Sequence, residues 1–538
     1  MRAVGVVVIG GGGAGLVAAI AAREAGAQVL VVSKSLLGKG NCTALSGAGF
    51  TAAVGGVLPE RHFQLTMDTG RKVSQPELVE VMAREGGEAL ERLQRYGVKL
   101  AVGRGHATAG LGEAPDAARG LSITLPLARK AAELGVLVRE KCVVTAVQMG
   151  EHGPRAVQVW DWARGVLEEV SCSAVVVATG GGGWMYGRTD NPAHTTGDGY
   201  ALLLRLGVPL RDMEFVQFYP LGFDEPGLPK CMIDLGIVDH CGLTDAGGRE
   251  FLKEKLREWG ISSGRQANTV ARDKCSVEVA KACRRGEVLL HLEDFDLSRV
   301  TLDWEKASLG AIYRMYLRHT SLAQGGKRVP VRVAPLEHYF CGGAVIDAHG
   351  STGVPGVYAC GEVTGGVDGA NRVGGNALTN LAVFGHRAGK AAGEFALVHG
   401  RKEQNGCFET TPCGELGSLV SNDPTGSKAD VLESQLKALC DGHLGPLRDR
   451  QSLSEALDRL ELLESRLGKV KLESARDVLR CLELRNMILT ARVVALAALL
   501  REESRGVHWR TDFPDERPSM CRPVLVKLTE GNLSAEWI

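Results

Sequence analysis

The opening of the chain reads Val6-Val7-Val8-Ile9, then Gly10-Gly11-Gly12-Gly13-Ala14-Gly15, then a helical stretch from Leu16 to Ala25. An apolar β-branched strand that feeds a glycine-rich turn and a helix is the fingerprint of dinucleotide binding. Each glycine sits where a side chain would obstruct. Gly10 permits the tight turn, Gly12 lets the backbone approach a pyrophosphate, and Gly15 lets the helix pack close on the strand. The helix N-terminus is thereby aimed at phosphate, where unpaired amides and the helix dipole favour negative charge. Glycine supplies 70 of the 538 residues, so chance GxGxxG matches are expected elsewhere. The flanking strand and helix make this one informative.

Roughly 20 residues further on, the simplest form of the fingerprint has an acid that accepts from a ribose hydroxyl. Here the strand Gln28 to Val32 runs into Ser33-Lys34, which points away from NAD and toward another dinucleotide. Ser33 can still meet a hydroxyl, and Lys34 is expected to bring positive charge near the phosphates. A second apolar run, Ala174-Val175-Val176-Val177-Ala178, leads to Thr179 and the glycines Gly180 to Gly183. There too the backbone can approach a ligand closely.

Lys plus Arg and Asp plus Glu both number 63, so no net field draws the chain to nucleic acid or to an anionic membrane. A hydrophobic fraction of 44% over this length implies a globular enzyme of more than one domain. The apolar N-terminus is too short and glycine-broken to cross a bilayer, Val493 to Leu500 is short as well, and no cleavage-site pattern is present; no direct membrane span is expected, and the default location is cytoplasmic. The 14 cysteines contain no CxxC pair. Metal and cluster sites usually need closely spaced thiolates, so neither a metal nor an iron–sulfur cluster is expected on this chain. Disulfides are not expected either, and most cysteines should be buried as small hydrophobes.

The fold class expected is α/β. Alternating strand and helix patterns fill residues 1–220 and return at 335–400, which describes a Rossmann-like nucleotide-binding domain in two parts. The charged insertion 221–334 reads as an α+β capping domain, with a helix expected from Asn268 to Arg285. Residues 401–426 read as a Gly/Thr/Ser/Pro-containing linker. Leucines at three- and four-residue spacing then predict helices at Ala456 to Leu467 and Leu472 to Arg501, in a helical C-terminal domain over 427–538.

Beyond this pattern, the chain resembles the flavoprotein subunits of fumarate reductase and succinate dehydrogenase, and L-aspartate oxidase as well. The stretches that carry the resemblance are Ser33-Lys34, Thr196-Gly197-Asp198-Gly199, Asp212 to Phe218, Ala271-Arg272-Asp273, Glu337-His338-Tyr339, Gly361-Glu362, Gly369 to Asn376 and Glu503-Ser504-Arg505-Gly506, in the family's order from end to end. The resemblance implies FAD, closed over by a cap that forms a dicarboxylate pocket. It implies that Gly10, Gly12, Gly13, Ala14 and Gly15 hold the pyrophosphate and that Ser33 and Lys34 meet the adenosine ribose. Gly40, Asn41, Cys42, Thr43, Ser46, Gly47, Val144, Thr179, Gly180 and Asp198 would lie along the cofactor. Glu362 matches the glutamate that binds the ribityl chain, and Ala377-Leu378 stands where a Ser-Leu pair approaches the isoalloxazine.

Adding hydride to a carbon–carbon double bond needs a fixed carbon, cations on the flanking carboxylate and a proton source opposite. Arg372 and His338 match the family's carboxylate clamp, a task suited to a planar guanidinium. Arg272 matches the arginine that delivers the proton, a role that requires a hydrogen-bonded relay because arginine is so weak an acid. Several positions depart from the pattern. Cys42-Thr43 stands where respiratory members carry the histidine that links FAD, so the FAD is expected to be non-covalent. Tyr219 replaces a carboxylate-binding histidine, and a phenol there could donate one hydrogen bond but no positive charge. Asp368 replaces a histidine next to the Arg372 loop, and an Arg-Gly-Glu-Gly stretch is not recognisable in Ile233 to Thr244.

Three functions follow from the resemblance. The leading one is an FAD-dependent oxidoreductase acting on CH–CH groups, which exchanges hydride between flavin N5 and a small unsaturated or saturated carboxylate of the fumarate/succinate type. The others are amine oxidation of the L-aspartate oxidase type and an FAD-binding electron-transfer subunit of a larger complex. The expected partners are the carboxylate substrate and an iron–sulfur electron-transfer subunit, with no nucleic acid.

Overall fold

The computed structural model describes residues 4–110, 119–323, 325–400, 410–411, 420 and 422–538. The sequence linker, 401–426, lies largely outside them. The glycine fingerprint sits in a parallel sheet: strand Val4–Ile9 pairs with Val29–Ser33 on one side and with Val166–Val177 on the other. Leu137–Glu140 extends the sheet beyond Val29–Ser33, and Val357–Ala359 pairs with the far end of Val166–Val177. The strand Val4–Ile9 is covered on both faces, which is why it reads as a continuous apolar run rather than an alternating one. Antiparallel strands Gly153–Asp161 and Cys142–Gly150 complete this sheet.

Two helices close one face. Gly13–Glu24 packs on Asn376–His399, and the latter carries Gly385, Gly389 and Gly393 at four-residue spacing. A Cβ at Gly389 would lie 2.1 Å from the Ala18 carbonyl oxygen; the glycine stripe therefore sets the close crossing. This contact brings the start of the chain against its second nucleotide segment.

The capping region has its own hydrophobic core, running from Leu221 to Val333. Two antiparallel strands, Val216–Phe223 and Val331–Phe340, lead from the nucleotide layers into it. The helix expected from Asn268 to Arg285 is instead two, Gly264–Val270 and Arg272–Arg285, broken at Ala271 with φ −146°. The Asn268 carbonyl, which in a continuous helix would accept the Arg272 amide, accepts the Arg272 guanidinium at 3.0 Å. A side chain thus takes over a helical hydrogen bond.

Helices Ala429–His443, Arg450–Leu467 and Ala475–Leu500 form the C-terminal bundle. The chain then departs from the helical expectation, because Val524–Thr529 and Asn532–Trp537 make a hairpin that pairs with Leu210–Arg211. Among the described residues no helix is long and apolar enough to cross a membrane. Of the twelve described cysteines all are free and eight are buried.

Candidate active site

The nucleotide end of the site is built from backbone. Gly10 adopts φ +120°, and a Cβ there would lie 2.2 Å from the Ala178 carbonyl oxygen; at Gly15 it would lie 1.9 Å from the Gly10 oxygen. No residue but glycine fits either position. Gly13 donates its amide to Thr43 Oγ1 at 3.3 Å, and Ala14 follows it in the first turn of the helix. Asn41 caps the short helix Cys42–Leu45 by accepting from the Ala44 amide at 3.0 Å, and Ser46 Oγ donates to the Thr43 carbonyl at 2.8 Å. Gly40 has φ +62°, while Gly47 and Gly180 have open space where a side chain would stand. Asn41 Nδ2, Thr179 Oγ1 and both amide atoms of Asn380 are buried without a protein partner. A bound dinucleotide would supply the partners that such groups need.

Ser33 is buried beside Gly11, and Val144 is buried on the strand Cys142–Gly150. Lys34 differs from expectation. Its ammonium lies 2.7 Å from Asp198 and 2.8 Å from Glu483, so two carboxylates offset its charge. It brackets the nucleotide layers to the helix Ala475–Leu500 and is not a free cation for phosphate. Asp198 is engaged in the same way, accepting also from Thr196 Oγ1 and Asn486 Nδ2.

At the other end of the cradle, Glu362 Oε1 accepts the Phe340 amide at 3.1 Å. A Cβ at Gly181 would fall 2.3 Å from that oxygen, so the glycine makes room for the carboxyl. Burial pushes Glu362 up to about 7, with the Phe340 amide opposing. Glu337, which in the sequence only flanks His338, is fully buried under Gly183; its Oε2 accepts from Thr189 Oγ1 at 2.6 Å and from Asn191 Nδ2 at 3.2 Å. Burial pushes its pKa well above the carboxylate range, which favours the neutral acid. Leu378 is buried and Ala377 partly so, both in the first turn of Asn376–His399. Asn376 ties that turn down through His62 at 2.9 Å and Thr66 at 3.0 Å.

Beyond the cradle, side chains from distant segments converge. Arg372 donates from Nη2 to Gln217 Oε1 at 3.0 Å, stacks 4.2 Å from the Tyr339 ring centre, and keeps a buried Nε without a partner. Gln217 in turn donates to Asn371 Oδ1 and the Arg372 carbonyl, which fixes the loop. Arg272 Nη2 would stand 3.1 Å from a Cβ on Gly374, two residues past Arg372. Burial holds the Arg272 guanidinium below the usual arginine range, and nearby Arg372 adds to that effect. His338 Nδ1 lies 2.8 Å from Asp190 Oδ2, which sets its ring, and Tyr219 packs edge-on to it at 6.1 Å. Burial pushes Asp368, in the Arg372 loop, up to about 6, with Arg372 opposing.

Tyr219 is not placed as a carboxylate donor. Its hydroxyl donates to Asn268 Oδ1 at 2.8 Å and accepts the Leu235 amide at 3.2 Å, which uses its one proton. Its ring instead lies 5.4 Å from the Arg272 guanidinium carbon, so Tyr219 is an aromatic wall against that cation. Asn268 and Asp234 were not singled out in the sequence. Asn268 Nδ2 donates to Asp234 Oδ2 at 3.2 Å, and Asn268 accepts from Arg272. Its four-residue spacing before Arg272 is a signal, but the helix break was not legible. Asp234 lies inside the stretch in which no familiar motif could be read.

A dinucleotide cradle beside a buried arginine, a half-buried one and a histidine is the arrangement of a nucleotide-dependent oxidoreductase. A family model described as FAD binding domain matches residues 5–378, and one described as Fumarate reductase flavoprotein C-term matches 433–525. A chain of the CoM/CoB fumarate reductase from Methanothermobacter marburgensis is 30% identical over 97% of this chain and 96% of its own. The L-aspartate oxidase of Streptomyces coelicolor is 32% identical over 97% and 91%. A solved variant of E. coli quinol fumarate reductase superposes with TM-score 0.83 at 25% identity, covering 99% of this chain and 96% of that one. The chain belongs to the fumarate reductase and succinate dehydrogenase flavoprotein family: it is an FAD-dependent oxidoreductase acting on CH–CH groups. The cradle fits FAD: Asn41 Nδ2, Thr179 Oγ1 and both Asn380 amide atoms are buried without a protein partner, and Gly47 and Gly180 leave open space for a ligand.

Proposed function

We propose that the chain reduces, or reversibly forms, the double bond of a small unsaturated carboxylate, with Arg372 and His338 holding a carboxylate and Arg272 holding the proton. FAD, when bound, supplies or takes the hydride. The observation that carries the reading is the meeting of two guanidinium groups at one loop: Arg372 belongs to it, and Arg272 Nη2 reaches Gly374, two residues further on. Like charges that close disfavour one another, and an anion between them relieves the cost. Arg372, with Nε unpaired, offers the planar fork that a carboxylate fits. Burial lowers the Arg272 pKa, which eases release of a proton, and Asn268, itself held by Asp234, orients the guanidinium. Tyr219 walls one side between Arg272 and His338 without adding a cation.

The FAD is non-covalent on this reading. Cys42 is the residue nearest in sequence to a linking position, and its thiol hydrogen-bonds to Asn191 Oδ1 at 3.1 Å while burial raises its pKa far above the range of a reactive thiolate. Yellow colour in the supernatant after acid precipitation supports this, and colour in the pellet overturns it. The relative from Methanothermobacter marburgensis is named as one subunit of its enzyme, which supports a second protein as the source of electrons; an iron–sulfur subunit is the partner proposed.

Arg272→Ala in FAD-loaded protein tests the central role. Turnover of fumarate with an artificial reductant should fall about 10²-fold or more, the range expected for a proton donor, with flavin content unchanged. Unchanged turnover rules out Arg272 as the donor.

A further inference from the structure

The loop Arg71-Lys72 is strained in a way its sequence does not require. Both residues adopt left-handed backbone, φ +54° and +62°, a conformation that side chains with a Cβ disfavour. Strain of this kind persists where surrounding contacts enforce it, and here three parts of the molecule do so. The Gly70 carbonyl accepts the Ala370 amide at 3.0 Å, so the loop supports the segment that presents Arg372. The Arg71 carbonyl accepts from Arg505 Nη1 at 3.4 Å and from Cys521 Sγ at 3.5 Å, both from the C-terminal region. The Arg71 side chain reaches the cap, its Nη2 lying 2.9 Å from Asp273 Oδ2.

Asp273 adjoins Arg272 at the start of the helix Arg272–Arg285. The same helix face continues in contact with the C-terminal region. Val277 and Ala280 cluster with Leu447 and Trp509, the Lys281 ammonium lies 4.8 Å from the Trp509 ring centre, and Arg284 donates to the Leu447 carbonyl at 3.0 Å. Positions 273, 277, 280, 281 and 284 recur at helical spacing, so they form one stripe. The contacts along it are apolar or exposed, except at Asp273, whose carboxyl is buried.

We propose that Arg71 is a positioning residue: its ion pair with Asp273 fixes the N-terminal turn of the cap helix, and so the distance of Arg272 from the Arg372 loop. The proposal rests on the reading of Arg272 as the proton donor. It gives the C-terminal region a part in the reaction without contact with substrate, since Arg505 and Cys521 hold the backbone carbonyl of the same strained residue whose side chain reaches Asp273. Asp273, being buried, cannot take a water shell in place of its partner at no cost. Arg71 is the cation that the structure supplies.

The test uses FAD-loaded protein and four variants, Arg71→Ala, Arg71→Lys, Asp273→Asn and Arg272→Ala, with fumarate and an artificial reductant as probe. Arg71→Ala should lower kcat about 10- to 100-fold, the scale expected from a small misplacement of a reacting group, with KM changed much less. Guanidinium in the assay should restore part of the rate, and Arg71→Lys should retain more than Arg71→Ala. Hydrogen exchange of 272–276 should rise in Arg71→Ala and Asp273→Asn alike, which reads the positioning whatever the substrate. Unchanged kcat or unchanged exchange in Arg71→Ala, with Arg272→Ala inactive, overturns the positioning role and leaves the donor standing. Full activity in Arg272→Ala overturns the donor, and then the exchange result alone decides whether the ion pair orders the helix.

Discussion

The two ends of the active site are built by opposite means. At the nucleotide end, backbone does the work: at Gly10, Gly15 and Gly389 an added Cβ would meet a carbonyl oxygen at 2.2 Å or less, and these glycines lie close in sequence to the strand and helices they serve. At the reaction end, side chains do it, and they come from strands, loops and a helix more than 150 residues apart, such as Gln217 and Arg372. A backbone site tolerates any sequence around it that keeps the glycines. A side-chain site can be retuned one residue at a time.

The sharpest way to break the nucleotide end is Gly15→Ala. Its Cβ would overlap the Gly10 carbonyl, and the helix would have to move off the strand. Overpacking of this kind costs about 1–3 kcal/mol or more, and the purified protein should lose most of its flavin, measured as absorbance per chain. At the reaction end the largest effect should come from Arg372→Lys. A lysine keeps the charge but loses the fork that meets Gln217 and a carboxylate, so kcat/KM for fumarate should fall about 10²-fold with FAD retained. An equally active lysine variant would show that charge alone suffices.

Smaller effects sharpen the contrast. Glu362 is held up to about 7 by burial, whereas an unfolded glutamate releases its proton near 4.5. The folded chain therefore binds the extra proton across that window, and stability must fall as pH rises from about 4.5 to about 7, by about 1–3 kcal/mol. Glu362→Gln should flatten this part of the stability curve in chemical denaturation, and a slope unchanged from the parent would assign the pH dependence to other groups. Tyr219→Phe should change least in rate. Loss of the hydroxyl leaves the Leu235 amide without its partner, costing about 1–3 kcal/mol of stability, while Asn268 Oδ1 keeps Arg272 Nε and kcat should stay within about tenfold. A collapse in substrate affinity with stability intact would instead make Tyr219 a substrate donor.

How much of this was legible in the sequence follows the same division. The fingerprint and the parallel strands could be read because glycines and apolar runs are local signals. Arg272, His338 and Arg372 could be placed by resemblance, and the structure brings Arg272 to Gly374. What could not be read is who holds whom. The Lys34 charge is offset by Glu483 from the far end of the chain, the Tyr219 hydroxyl is taken by Asn268, and the helix breaks at Ala271 because Arg272 claims a backbone carbonyl. Each of these is a long-range or competitive hydrogen bond that no local pattern records. The C-terminal hairpin was missed for a related reason, since its strand partner Leu210–Arg211 is a two-residue element with no periodicity of its own.

The central claim is that this cradle and this pair of arginines reduce an unsaturated carboxylate. The most direct measurement is to reduce the flavin-loaded protein anaerobically and add fumarate, following the return of oxidised-flavin absorbance, with other unsaturated carboxylates in parallel. Rapid reoxidation by fumarate, lost in Arg272→Ala, is the predicted result. Stoichiometric FAD that none of these carboxylates reoxidises would contradict the claim and leave a flavoprotein that passes electrons without a competent substrate pocket.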